Sequence, residues 1–183
     1  MIIILFGAPG VGKGTQATIL AEKLGIAHLS TGDAFRSAIK NGTAVGKLAK
    51  SFVDEGKLVP DDIVARIVEE AMEAPSFKNG CILDGFPRTR AQADVLKAML
   101  ESHGQKIARV VNITVDDENI ISRLLQRGRA DDDETIVRHR LEVYQNETAP
   151  LLDYYGATDR LVSVDGIGSV NEVNERILRA IAA

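Results

Sequence analysis

An α/β domain with a parallel central sheet is predicted from three observations. Short apolar runs rich in β-branched residues alternate along the chain with amphipathic stretches of helical period. The first run, Ile2 to Phe6, is closed by a glycine-rich loop, and a helical stretch starts directly on that loop. An apolar run without polar alternation is the pattern of a strand covered on both faces, as strands of parallel sheets are. In such sheets ligands collect at the carboxyl ends of the strands, so chemistry is expected just after Phe6.

At 183 residues, with 45% hydrophobic and 26% charged residues, the chain suits one domain with a full core. A net charge of −4 gives no reason to expect nucleic acid or a membrane as partner, so any anion site must be a local cluster. The five-residue first run is too short for a signal peptide or a span, and a cytoplasmic protein is expected. Cys81, the single cysteine, cannot form an internal disulfide or a multi-cysteine zinc site, so no structural zinc is expected and core packing is its expected role. His28, His103 and His139 lack ligand spacing and read as surface or polar-cluster residues.

Taken in order, the loop from Gly7 to Thr15 leads into a helix through about Lys23, stopped by Gly25. A short strand spans Ala27 to Leu29. Ser30 to Asp33 offers cap chemistry for a helix through Lys40, and a second short helix runs from about Thr43 to Asp54. After Pro60 a helix starts on Asp61 and Asp62, with Ile63, Ile67 and Val68 at helical spacing. Strands are expected at Gly80 to Asp84, Val110 to Val115 and Leu161 to Val164. Helices are expected from Thr89 to about Ser102, from about Asp117 to Arg127, from about Asp133 to about Tyr155 with Pro150 as a kink or division, and from Ser169 to Ala182. The sum is a three-layer P-loop NTPase-type domain around a five-stranded parallel sheet.

The chemistry concentrates in a few segments. Gly7, Gly10, Gly12 and Lys13 fit the spacing of a phosphate loop, in which backbone N–H groups and a helix N-terminus cradle phosphate oxygens and the lysine reaches the outer phosphates. The generic pattern has Ser or Thr after the lysine, whereas here Gly14 intervenes before Thr15. Direct ligation of a metal by that hydroxyl is therefore not expected. Asp84 ends a buried strand beside the loop and is placed to hold Mg²⁺ through water. Arg123, Arg127, Arg129, Arg138 and Arg140 surround a break at Gly128, which reads as a flap over phosphates because arginine bonds two oxygens at once. Arg138 keeps the plain reading of a solvated side chain. Arg36 and Arg88 each follow a strand-end turn near the same sheet edge. Thr89-x-x-Gln92 is a capping-box pattern that also sets Gln92 one turn beyond Arg88, so a structural and a base-reading role are both open for it.

Five segments together resemble the adenylate kinase family: Gly7 to Thr15, Leu29 to Asp33 with Arg36, Gly56 to Pro60, Asp84 to Thr89 with Gln92, and Arg127 to Asp132. The resemblance runs through the whole chain, and Gly14 before Thr15 is part of it. It implies a core of residues 1–29, 60–125 and 133–183, a subdomain for the nucleoside monophosphate at 30–59, and a short lid at 126–132. It further implies ATP contacts from Gly10, Val11, Gly12, Lys13, Gly14, Thr15, Arg123, Arg127 and the Gly168 backbone. AMP contacts are implied for Thr31, Arg36, Lys57, Leu58, Val59, Gly85, Phe86, Pro87, Arg88 and Gln92, with Arg129 and Arg140 reaching toward its phosphate and the transfer centre. Lys13, Arg88, Arg123, Arg127, Arg129 and Arg140 would be the catalytic group, and Asp131 and Asp132 would hinge or latch the lid. The implied reaction is MgATP plus AMP giving two ADP, by a monomer. A UMP/CMP kinase would differ at Thr31 and Gln92. A nucleotide switch would not need arginines for two phosphate groups, and no Asn-Lys-x-Asp guanine-reading motif is present.

Overall fold

A computed structural model describes residues 1–129 and 131–182. Ala130, within the expected lid at 126–132, lies outside the described residues, as does Ala183. Five parallel strands, β1 (Ile2–Phe6), β2 (Ala27–Ser30), β3 (Cys81–Asp84), β4 (Ile107–Thr114) and β5 (Leu161–Asp165), form one sheet in the order β2-β3-β1-β4-β5. The helices are α1 (Lys13–Leu24), α2 (Thr31–Lys40), α3 (Ala44–Asp54), α4 (Asp61–Met72), α5 (Arg90–Ser102), α6 (Asp117–Arg127), α7 (Glu134–Val143), α8 (Leu151–Gly156) and α9 (Val170–Ala182).

Alternation along β1 divides the core in two. Ile2, Ile4 and Phe6 join Leu83 and Val110 under α5 and α8, whereas Ile3 and Leu5 join Ile82, Val111 and Ile113 under α1, α6, α7 and α9. All five residues of β1 are at most 3% exposed, which is why the run carries no polar alternation. Cys81 is buried in the first of these clusters, as its packing role requires.

The sheet order also fixes where the loops diverge. From β1 the chain crosses to the β2 edge, and from β3 it crosses over β1 to β4. The loops after the neighbouring strands β1 and β3 therefore part in opposite directions, opening a crevice at their carboxyl ends. Leu5 pairs with Asp84, and Asp84 with Ser30, so the ends of β1, β2 and β3 meet at one level.

Two elements depart most from expectation. β4 starts at Ile107, before Val110, because Ile2 and Ile3 pair with Ile107 and Arg109 across an irregularity in the ladder. The helix expected to run from about Asp133 to Tyr155 is broken ahead of Pro150 by a π-turn over Tyr144–Thr148, closed by Ala149 N–H donating to the Tyr144 carbonyl at 2.8 Å. Pro150 then sits at the cap of α8, where its missing N–H costs no helical bond.

Candidate active site

The glycine-rich loop joins β1 to α1 at the bottom of a cleft of about 390 Å³. Gly12, in the left-handed region at φ 103°, caps α1 without any side-chain hydrogen bond. The first-turn N–H groups are thus left without a side-chain acceptor, as an anion-binding helix start requires. Lys13 folds back over the loop, donating to the Gly7 and Ala8 carbonyls at 2.7 and 2.9 Å. Burial lowers its pKa to about 8; Asp84 opposes the shift, and Arg88, Arg140 and Arg127 add to it. Thr15 is exposed at the cleft rim.

Asp84 lies opposite, 8% exposed at the end of β3. Burial by itself would raise its pKa, but the His28 ring, Lys13 and Arg88 outweigh that and hold the carboxyl below its usual range. A Cβ built on Gly14 would lie 3.4 Å from Asp84 Oδ2. That is an ordinary contact distance, so Gly14 and the Asp84 carboxylate face each other directly at this point of the cleft. His28 takes the polar-cluster place: its Nε2 is buried without a hydrogen-bond partner, 3.9 Å from Asp84 Oδ2.

The turn after β3 organises the other wall. Gly85 has φ 81°, and a Cβ there would stand 2.7 Å from Thr31 Oγ1 and 2.9 Å from an Arg88 guanidinium nitrogen, so only glycine lets these two side chains converge. Thr31 Oγ1 donates to the Gly85 carbonyl at 2.9 Å, as does Arg88 Nε at 2.9 Å. Arg88 is also held by its backbone: its N–H donates to Gln92 Oε1 at 2.7 Å, and its carbonyl accepts from Thr148 Oγ1 at 2.9 Å. Thr148 lines the cleft from the π-turn, and no motif in the sequence pointed to it. Gln92 fulfils the capping pattern in part, since its N–H donates to Thr89 Oγ1 at 3.2 Å while its side chain reaches Arg88 instead of the cap residue.

The remaining arginines come from α6, the segment after it, α7 and α2. Arg127 grips Asp132 through two bonds of 2.9 and 2.6 Å, and Arg140 donates to Asp131 at 2.9 Å. Asp132 is 5% exposed and also accepts the Arg129 N–H at 3.0 Å, so the two aspartates tie the backbone at Arg129, Asp131 and Asp132 to α6 and α7. Arg123 donates to the Gly166 carbonyl at 3.1 Å, in the loop that also holds Gly168. Arg36 pairs with Asp33 at 2.5 Å. Arg138 pairs with Glu134 at 2.8 Å on the exposed side of α7 and stands outside the cleft lining. Lys57, Leu58 and Val59 form part of the cleft wall; Gly56 before them approaches α7 so closely that a Cβ would meet Arg140 Cγ at 2.9 Å.

Of the residues singled out in the sequence, Lys13, Arg36, Arg88, Arg123, Arg127, Arg129, Arg140, Thr31, Gln92 and Asp84 all line this one cleft, with Gly10, Gly12, Gly14, Gly85 and Pro87. Val11 and Phe86 are core residues behind it, and Gly168 lies in the loop after β5, outside the lining. Six arginines and two lysines face only three aspartates there, Asp33, Asp84 and Asp131, in a chain of net charge −4. This local excess of cations suits highly charged phosphate ligands.

The family model described as adenylate kinase matches residues 5–160. The chain belongs to the adenylate kinase family. Among curated relatives, an adenylate kinase of Corynebacterium glutamicum (strain R) is 50% identical over 181 residues, 99% of each chain. One from Nocardia farcinica (strain IFM 10152) is 48% identical over 181 residues, again 99% of each. Adenylate kinase 1 of Nostoc sp. (strain PCC 7120) is 49% identical over 175 residues, 96% of this chain and 95% of the relative. Membership of this family makes the chain a nucleoside monophosphate phosphotransferase acting on nucleotides, with the function of an adenylate kinase; a UMP/CMP kinase is not favoured. No helix among the described residues is long and apolar enough to cross a membrane, and no group of three or more metal-ligating side chains is found among them.

Proposed function

We propose that the cleft transfers the terminal phosphoryl group of ATP to AMP reversibly, giving two ADP, as an ATP:AMP phosphotransferase. The observation that carries this reading is the convergence of cations from two walls. Lys13 and the α1 N-terminus stand on one, Arg36 and Arg88 on the other, with Arg123, Arg127, Arg129 and Arg140 along the cleft between them. One phosphate chain would need one wall; two polyanions in contact need both. ATP would lie on Gly10 to Thr15 with its base toward the Gly168 loop. AMP would lie between Thr31, Arg36, the 57–59 backbone, Gly85, Arg88 and Gln92. Residues 30–59 and 126–132 would close over the pair and exclude water, which would otherwise take the acceptor's place.

Phosphoryl transfer of this kind needs positioning and charge neutralisation rather than a nucleophile. The Lys13 ammonium group and the guanidinium groups of Arg36, Arg88, Arg123, Arg127 and Arg140 rest on backbone carbonyls or aspartates, and each of these arginines keeps further N–H donors for phosphate. Asp84 fits Mg²⁺ as an outer-shell partner. It is a buried carboxylate kept ionised by its neighbours, with the space beside Gly14 open in front of it. Bound together with ATP, Mg²⁺ would neutralise negative charge on the phosphates.

Purified protein with Mg²⁺ should form ADP only when ATP and AMP are both present, and UMP, CMP and GMP should replace AMP poorly. ADP release from ATP alone, or equal rates with UMP, would overturn the reading. The depressed pKa of Lys13 adds a pH signature. Free Lys13 loses its proton above about pH 8, whereas bound phosphate favours the charged form. Binding therefore takes up a proton there, and ATP affinity should fall by about tenfold per pH unit above 8 until the bound-state pKa is reached. Titration calorimetry at pH 7, 8 and 9 measures this, and Lys13→Met should flatten the profile.

A further inference from the structure

Asp61 opens α4 directly after the segment 30–59, behind the cleft wall. Its carboxylate accepts two bonds from the start of α5: Thr89 Oγ1 donates to Oδ2 at 2.9 Å and Gln92 Nε2 donates to Oδ1 at 2.7 Å. Gln92 is 2% exposed and forms part of the wall. The other end of its carboxamide, Oε1, accepts the Arg88 backbone N–H at 2.7 Å.

These two partners are of opposite kind. A carboxylate only accepts and a backbone N–H only donates, so the carboxamide has one admissible flip. The reverse flip would set oxygen against carboxylate and N–H against N–H. A primary amide offers two N–H groups and two lone pairs at its oxygen. Asp61 and Arg88 each use one, so one N–H and one lone pair remain for a ligand, with their order fixed.

Resting on the reading that a nucleoside monophosphate base meets Gln92, we infer that Asp61 is a specificity-determining positioning residue. It locks the Gln92 carboxamide in the flip that matches an exocyclic amino donor beside a ring-nitrogen acceptor. Adenine presents that edge, and cytosine has the same polarity. A 6-oxo purine presents a carbonyl acceptor beside a ring N–H and meets the locked amide with like groups opposed. Sites built on buried, committed polar groups reject a mismatched partner strongly because the mismatch leaves those groups unpaired. Asp61 touches no substrate; it acts through Gln92.

The test is Asp61→Ala, which deletes the acceptor that meets Gln92 Nε2 and so removes one side of the lock. The quantities compared are kcat/KM for AMP, IMP and CMP at saturating ATP, together with the thermal midpoint. The AMP-to-IMP ratio should fall about tenfold, the effect of one charge-assisted hydrogen bond, while the AMP-to-CMP ratio stays within about twofold. Equal loss on all three monophosphates, or unchanged ratios, would overturn the inference. Should the variant fail to fold, Thr89→Val and Thr89→Ser serve instead: the valine, lacking the hydroxyl that holds Asp61, should lower the AMP-to-IMP ratio and the serine should not. Identical ratios in those two would overturn it as well. Wild-type protein without AMP-dependent ADP formation sinks the proposed reaction itself, whereas normal wild-type turnover with unmoved ratios sinks only the role of Asp61.

Discussion

Lys13→Met is expected to lower kcat by about 10²-fold or more, the cost of removing one transition-state donor from a water-excluded site. The side chain sits where donor phosphates would meet the α1 N-terminus, and its ammonium group is the one lysine charge at the floor of the cleft. Methionine keeps the volume of the stem and removes the charge. Stability should change little. The depressed pKa means that the charged ammonium is less favourable in the folded chain than in the unfolded one below about pH 8, so its removal relieves that cost. Against this, the Gly7 and Ala8 carbonyls lose a donor. Single-turnover kinetics and a thermal melt separate the two effects: near-normal turnover would overturn the role assigned to Lys13, and a collapsed melting temperature would make the loss a folding effect.

The architecture was legible because each strand meets one demand. Strands covered on both faces must be continuously apolar, so β1 and β3 could be read directly, and the glycine-rich loop announced the end of β1. The cleft was legible for a related reason. Residues that need a left-handed turn, a bidentate cation or a strand-end carboxylate, as at Gly85, Arg127 and Asp84, leave a strong residue preference.

What stayed hidden were partnerships between distant segments. Thr148 reaches the Arg88 carbonyl across 60 positions, from a π-turn whose sequence looks like ordinary helix. His28 lies beside Asp84 because β2 and β3 are neighbours, a pairing fixed by sheet order and invisible in either segment alone. Gln92 had two open roles in the sequence, and geometry joins them: its backbone takes the cap and its side chain fastens Arg88 to Asp61. The paired arginines show the same limit. Charge counting alone could not say which acid meets which arginine: Asp131 and Asp132 turn inward to Arg140 and Arg127, whereas Glu134 turns out to Arg138.

Arg88→Ala should act on one side of the cleft only, with kcat/KM for AMP falling by about 10²-fold or more and ATP affinity changing by less than about threefold. The argument rests on how Arg88 is held. Gln92 and Thr148 grip its backbone N–H and carbonyl, and both bonds survive truncation of the side chain. The turn after β3 should therefore keep its shape, and the loss reports the guanidinium alone. That guanidinium is half-buried in the cleft wall, and desolvation lowers its pKa; Asp84 opposes the shift and Arg36 adds to it. A partly desolvated cation beside another cation is an arrangement that an incoming phosphate relieves, which favours binding of the acceptor at this point. Arg88→Lys should recover part of the activity, because a lysine restores charge but not the planar fork that bonds two phosphate oxygens. Steady-state kinetics with AMP varied at saturating ATP, set beside ATP binding measured by calorimetry, decides the matter. Equal weakening on both nucleotides would place Arg88 at the shared transfer centre and overturn its assignment to the acceptor wall.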